Sequence, residues 1–222
     1  MMNNKVEHIQ SLYRAKEFKK GIEFLQNHRA DFSPEVYHYN LGTFFLKDNQ
    51  APVARLHFEQ AKALGFGNSI LENNLKVAKQ KLNVISIEQP LTLEKKTMDF
   101  FESVNPDWFL TFFLICLLIS SFLYGKTRSL ILSLCFMLFS ISPMGLKEYF
   151  NKKFIKAIIT QPTAVYDGPS DIYDEIGDLP QGLKIYLTTQ RDSWYFIEYP
   201  ESYRGWIDYS KLNVIQGEKN VF

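Results

Sequence analysis

Hydrophobic positions along the chain fall into three regimes. Through the first 83 residues they recur in steps of three or four positions, broken by short turns. Leu12-Tyr13, Phe18, Gly21-Ile22 and Leu25 form one such series, and Leu41, Phe45, Ala54, Phe58 and Ala61 form another. That spacing predicts helices with one packed face. Two runs without a charged residue follow, at 108–124 and 129–146. At 1.5 Å per residue each spans about 26 Å, near the thickness of a bilayer core. From residue 157 the pattern changes to short apolar runs cut by turns: Thr163-Ala164-Val165-Tyr166, 183–188, 194–198 and Gly205-Trp206-Ile207. Strands at such spacing predict a small β domain. The expected class is multidomain α + β. A helical domain covers 1–83, a juxtamembrane linker 84–106, a two-helix transmembrane hairpin 107–147, and a β domain 154–215. The two soluble domains, separated by the hairpin, are expected to share no core.

The hairpin reads as an anchor. Gly125-Lys126-Thr127-Arg128 is short enough only for a tight turn, so both chain ends lie on one side of the membrane. Trp108 and Tyr124 sit at the ends of the first run, where interfacial aromatics belong. A buried hairpin of a soluble protein is the alternative, but these runs lack a polar face. Ser120, Ser121, Ser133, Ser140 and Ser142 are placed to hydrogen-bond between helices. No ionisable residue lies within either run, which argues against an ion pathway. Pro143 is placed to kink the second helix. Sidedness has evidence both ways. Lys126 and Arg128 crowd the turn, while Lys95, Lys96, Lys147, Lys152, Lys153 and Lys156 flank the two ends. A simple positive-inside count favours cytoplasmic ends. The first residues have no signal-peptide core, so either the soluble parts are cytoplasmic or a signal lies upstream. The short basic turn, whose charges cannot leave the boundary, favours periplasmic ends.

Residues 35–66 resemble a tetratricopeptide repeat. Leu41-Gly42, Phe45, Ala54, Phe58 and Ala61 stand at the repeat's intervals, with 47–50 as the turn between its helices. Gly42 allows a close helix approach, and Phe45 and Phe58 fill the space between. Residues 5–29 read as a degenerate earlier copy, Ser33-Pro34 opens the next, and Asn68 caps a closing helix through Leu82. The resemblance implies an α-helical tetratricopeptide solenoid with a peptide groove. Asn40 recurs as Asn74, one repeat period later. Repeats of this family that grip peptide carboxylates carry an Asn at the corresponding inner position, though the basic residues of that clamp have no match here. The groove candidates are Tyr39, Asn40, Thr43, Lys47 and Asn74; the plain alternative for an inner Asn is a bond to neighbouring backbone. His8, His28, His38 and His57 match no zinc spacing and read as core or surface residues.

The C-terminal motifs resemble the bacterial SH3 family. Gly168-Pro169-Ser170, Leu179-Pro180-Gln181-Gly182, Trp194 and Gly205-Trp206-Ile207 stand in the family's order over residues 157–215. The usual Asn-Val-Arg before Gly-Pro-Ser is replaced by Ala164-Val165-Tyr166-Asp167. The resemblance implies an SH3-like β-barrel that binds peptides or cell-wall fragments, or acts as a spacer. Tyr166, Trp194, Tyr195 and Tyr203 are its groove candidates. Trp206 is expected in the core. Asp171, Asp174, Glu175 and Asp178 are expected in a solvated acidic loop.

Charge and chemistry narrow the function. The net charge is +1, which leaves no basic footprint for nucleic acid. The two cysteines, Cys116 and Cys135, lie in the apolar runs and form no Cys-x-x-Cys motif. Gly125-Lys126-Thr127 is not a phosphate loop, because Ser120 stands where its first glycine is needed. No Gly-x-Ser-x-Gly elbow and no His-Glu-x-x-His occurs. No catalytic residue, cofactor or metal is therefore expected, and the protein does not read as an enzyme.

Repeats, membrane hairpin and SH3-like domain in this order resemble the BatE-type proteins of bacterial aerotolerance (Bat) operons. The stretch Tyr39-Asn40-Leu41-Gly42, the 54–65 helix, the basic hairpin turn and the Gly-Pro-Ser and Gly-Trp-Ile marks carry the resemblance. It implies a non-catalytic, membrane-anchored adaptor or scaffold in the bacterial inner membrane, accompanying von Willebrand-type Bat proteins, with periplasmic soluble domains. A cell-wall sensor binding peptidoglycan peptides through the β domain is the second reading. A silent accessory subunit of an enzyme is the third.

Overall fold

The computed structural model describes residues 2–89, 92–104 and 106–215, with the side chains of 2–4, 102–103, 106 and 132–133 outside that description. The chain forms two compact units, Met1–Gln89 together with Ile155–Phe222, and Pro90–Phe154. The first unit thus joins the helical region to the β region, which the sequence had suggested share no core.

Its helices are α1 (Met2–Arg14), α2 (Phe18–Asn27), α3 (Pro34–Lys47), α4 (Ala51–Ala63) and α5 (Ser69–Leu82). Local chemistry sets their ends. Pro34 and Pro52 occupy first turns, where no amide hydrogen bond is lost. The Asn68 side chain accepts the Leu71 amide at 2.8 Å, capping α5 as its sequence predicts. Asn49 and Asn83 take the left-handed conformation that stops α3 and α5. The α3–α4 contact needs Gly42: a Cβ there would stand 2.7 Å from the Phe58 ring. Phe44, Phe58, Leu41, Ala54 and Ala61 are buried around it. The helical region is therefore a stack of antiparallel-type helix pairs built on small-on-large packing.

The β region has strands β1 (Ile155–Ile158), β2 (Thr163–Tyr166), β3 (Glu175–Leu179), β4 (Lys184–Arg191), β5 (Trp194–Tyr199), β6 (Gly205–Asp208) and β7 (Asn213–Val214). They form one antiparallel sheet in the order β3-β2-β6-β5-β4-β1-β7. Strands β3 and β7 are its two edges, so among the described residues the expected barrel does not close. The reason lies in what covers the inner face. Val84, fully buried, joins Leu179, Leu183, Ile185, Leu187 and Ile197 in one core, with Leu82 and Ile87 packed against it. The segment after α5, expected as linker, supplies apolar cover that a closed barrel would find in its own strands. The acidic stretch is also corrected: Glu175 and Asp178 belong to edge strand β3, where charges discourage further pairing.

The second unit holds α6 (Leu93–Ser103), α7 (Pro106–Thr127) and α8 (Leu130–Lys153). Thr92 caps α6 by accepting the Lys95 amide at 3.3 Å. Among the described residues one stretch, Asp107–Thr127, is long and apolar enough to cross a membrane, by length and composition. The expected two-pass arrangement is corrected to this one candidate. Helix α8 has Pro143 inside it and Lys152 and Lys153 in its last turn, and its Leu132 and Ser133 side chains lie outside the described residues. Two of the five serines differ from expectation. Ser140 and Ser142 donate to the Met137 and Phe139 carbonyls of their own helix, at 2.6 and 2.8 Å.

Candidate functional site

Three features of the first unit carry chemistry: a helical stripe, the outer face of the sheet, and a buried charge cluster between them.

On α3, positions 39, 40, 43 and 47 lie along one stripe outside the tightest packing. Tyr39 stacks on Phe66, ring centroids 4.5 Å apart, and is half-buried. The Thr43 hydroxyl donates to the Tyr39 carbonyl at 2.9 Å, a bond within the helix. Lys47 is exposed, with its ammonium 5.8 Å above the Tyr13 ring of α1. Asn40 and, on α5, Asn74 are half-buried. Three of the five predicted groove residues are thus engaged in packing or local bonds. Lys47 is the most exposed of the five, and the two asparagines are half-buried.

Beside this stripe, His38 and His57 approach with their Nδ1 atoms 3.0 Å apart, and His57 Nδ1 lies 3.0 Å from Gln60 Oε1. His57 also stacks on Phe45. Burial first, then the nearby His38, push the His57 pKa down to about 4. Burial and Arg29 lower His38 as well. Both are neutral packing residues at pH 7. Among the described residues no group of three or more His, Cys, Asp or Glu side chains is placed to hold a metal.

Alternation along β5 separates two faces of the sheet. Tyr195, Ile197 and Tyr199 point into the core; Trp194, Phe196 and Glu198 point out. Register places Trp206 opposite Phe196 and opposite Tyr166. The outer face therefore gathers Tyr166, Trp194, Phe196 and Trp206. Tyr166 meets Trp194 edge-on at 5.3 Å, Phe196 meets Trp206 at 5.5 Å, and the Arg191 guanidinium lies 5.7 Å above Trp206. All four rings are half-buried. Two predicted groove residues, Tyr166 and Trp194, are brought together here. Tyr195 is only 2% exposed, next to Tyr209, and Tyr203 packs on the core cluster. Trp206, expected in the core, stands on the outer face. Phe196 and Arg191 were missed; period-2 counting from Trp194 would have found the first.

The third feature had no signal in the sequence. Arg55 of α4 is fully buried. Its guanidinium grips Glu88 by two bonds, 2.6 and 2.7 Å, and donates to the Gly182 carbonyl. Glu59, one turn on, lies 3.6 Å from Arg55 and 3.2 Å from the Lys184 ammonium. The Lys184 amide donates to Glu88 at 2.8 Å. Burial pushes the Glu59 carboxyl up, but Lys184, Arg55, Lys79 and Lys62 outweigh it and hold it well below the usual carboxylate range. Burial likewise opposes the Arg55 charge, and Glu88 and Glu59 restore it. The cluster thus closes its own charge while tying α4, the 84–88 segment and the β3–β4 turn together. At that turn Gly182 has φ +80°, and a Cβ there would stand 2.4 Å from Leu82.

No family model, curated protein or solved structure matches the chain.

Proposed function

We propose that the protein is a non-catalytic interaction scaffold of a bacterial envelope, held at the inner membrane by the Pro90–Phe154 unit through its apolar helix α7. The observation that carries this reading is the aromatic outer face of the sheet. Four large rings collected on the side away from the core, under a cation, suit a protein or peptide partner. The helical stripe with Asn40 and Asn74 offers a second surface on the same compact unit. Locking both surfaces in one body fixes their mutual geometry, so two partners, or two parts of one, meet at high effective concentration. The sequence resemblance to BatE-type proteins supports von Willebrand-type Bat proteins as the partners and the periplasm as the compartment.

The test is co-purification of the full chain with a von Willebrand-type Bat protein from the same operon. Replacement of Trp194 and Trp206 together by Ala is expected to abolish recovery while the circular dichroism spectrum stays unchanged. Undiminished recovery would contradict the reading. Saturable binding of purified muropeptides, lost in the same double variant, would favour the cell-wall sensor instead. A phosphatase fused after Phe222 reports the compartment: activity is expected, and an inactive fusion would move the partners to the cytoplasm.

A further inference from the structure

Helix α6 has two apolar faces, and the helices of its own unit cover only one. Met98 is fully buried, Phe101 and Lys95 nearly so. Phe101 stacks on Phe109 of α7 at 6.0 Å and tilts against Phe150 of α8 at 6.3 Å. On the opposite side Leu93 is 80% and Phe100 61% exposed, with Lys96 between them. A helix that turned an apolar pair of this size to water would lose the burial that its other apolar residues obtain.

The contacts fix where this face lies along the hairpin. At the C-terminal end of α6, the Lys147 ammonium donates to the Val104 carbonyl at 3.2 Å. At its N-terminal end, Lys153 meets Glu94 at 2.5 Å. Lys147 is the first charge after the uncharged part of α8, and Phe109 stands at the start of the uncharged part of α7. Helix α6 therefore packs at the level where both apolar runs stop. Two more exposed aromatics, Trp108 and Tyr149, stand at the same end. Charge does not oppose a lipid neighbour: Glu94 pairs with Lys153 and Asp99 with Lys95, and Lys96 is long enough to keep its ammonium in water.

Resting on the reading of α7 as the membrane-inserted helix, we propose that α6 is an interfacial helix. Phe100, Trp108 and Tyr149 form an aromatic collar seated in the headgroup layer of a lipid bilayer. Continuity with the exposed apolar surface of α7 makes the bilayer the occupant of this face. The contacts also set a gradient of depth. Between Lys147 and Lys153 the axis of α8 rises about 9 Å, while the headgroup layer is only about 5–7 Å thick on each side. The Phe100 end lies within that layer and the Leu93 end at its outer limit.

The experiment places one nitroxide at a time in the full chain, with Cys116 and Cys135 changed to Ala, reconstituted in phosphatidylcholine vesicles. Phe100→Cys, Leu93→Cys, Leu118→Cys and Lys76→Cys supply the four sites. Collision with oxygen reports lipid, and collision with a water-soluble nickel complex reports water. The Phe100 label is expected to be shielded from nickel several-fold relative to Lys76, with Leu93 between the two and Leu118 fully in lipid. A Phe100 label as open to nickel as Lys76, with Leu118 in lipid, would overturn the interfacial helix and leave the anchor standing. A Leu118 label open to nickel would overturn the anchor and the collar together.

Discussion

Arg55 decides more than any other single residue. It is a charge in a core, acceptable only because Glu88, Glu59 and the Gly182 carbonyl surround it. Removing one member of such a cluster leaves the others buried and uncompensated, which typically costs about 3–5 kcal/mol. Arg55→Ala is accordingly expected to lower stability by about that amount, read from the midpoint of urea unfolding. A loss under about 1 kcal/mol would mean that the carboxylates find water. The face assignment on β5 has its own test. Tyr195→Ala removes a core ring and is expected to cost about 3–5 kcal/mol. Trp194→Ala, on the outer face, is expected to cost clearly less; equal losses would contradict the assignment. His57 gives the pH dependence. Its folded pKa of about 4 lies below the ordinary value of 6.5. The unfolded chain therefore takes up a proton first as pH falls, and stability drops between pH 6.5 and 4. The full shift corresponds to on the order of 3 kcal/mol. His57→Phe is expected to flatten this part of the profile, as read from Tm against pH. Glu59 acts in the same direction at lower pH, since its depressed folded pKa favours folding only while it stays ionised.

At the scale of elements, the junction rests on shape as well as charge. The Leu179-Pro180-Gln181-Gly182 turn touches Leu82 so closely that Gly182 has no room for a Cβ, and its φ of +80° disfavours any other residue. Gly182→Ala is expected to cost about 1–3 kcal/mol. Combined with Leu82→Ala, the total loss is expected to be smaller than the sum of the two single losses, because the shortened side chain at 82 makes room for the new methyl at 182. Strict additivity in the double-mutant cycle would contradict the contact. These elements also mark how far the sequence could be read. Helices α3, α4 and α5 were legible because their signals are local: Pro34, the 47–50 turn and Asn68 punctuate the chain within a turn of a boundary. Strands β2, β4, β5 and β6 were legible for the same reason, by alternation. Strand β3 was not, because an edge strand rich in Asp and Glu looks like a loop. The site was half legible: Tyr166 and Trp194 meet, whereas Tyr195 was counted on the wrong face. The Arg55 cluster was invisible. Its partners Glu88 and Gly182 lie 33 and 127 residues away, and a lone Arg beside Leu56 reads as solvated. Val84-Ile85-Ser86-Ile87 looked like a linker for the same reason, since what it packs on comes from β strands far along the chain.

At the scale of the whole molecule, the chain leaves its first unit after Gln89, forms the helical unit Pro90–Phe154, and returns at Ile155 to complete the first unit. The apolar unit is thus an insertion within a folded body. Removing residues 107–147 is expected to move the protein from carbonate-washed membranes to the soluble fraction, and retention in the membrane would contradict the anchor. The central claim is that helices and sheet form one cooperative body which presents both partner surfaces. A chain lacking residues 90–154, its ends joined by a short flexible linker, tests it directly. That chain loses Trp108 and keeps only Trp194 and Trp206, both on the sheet. Tryptophan fluorescence then reports the sheet alone, and circular dichroism at the helical minimum reports the helices. Urea unfolding followed by both probes is predicted to give coincident transitions, as a two-state body requires. Two separate midpoints, with the helices and the sheet unfolding apart, would contradict the account.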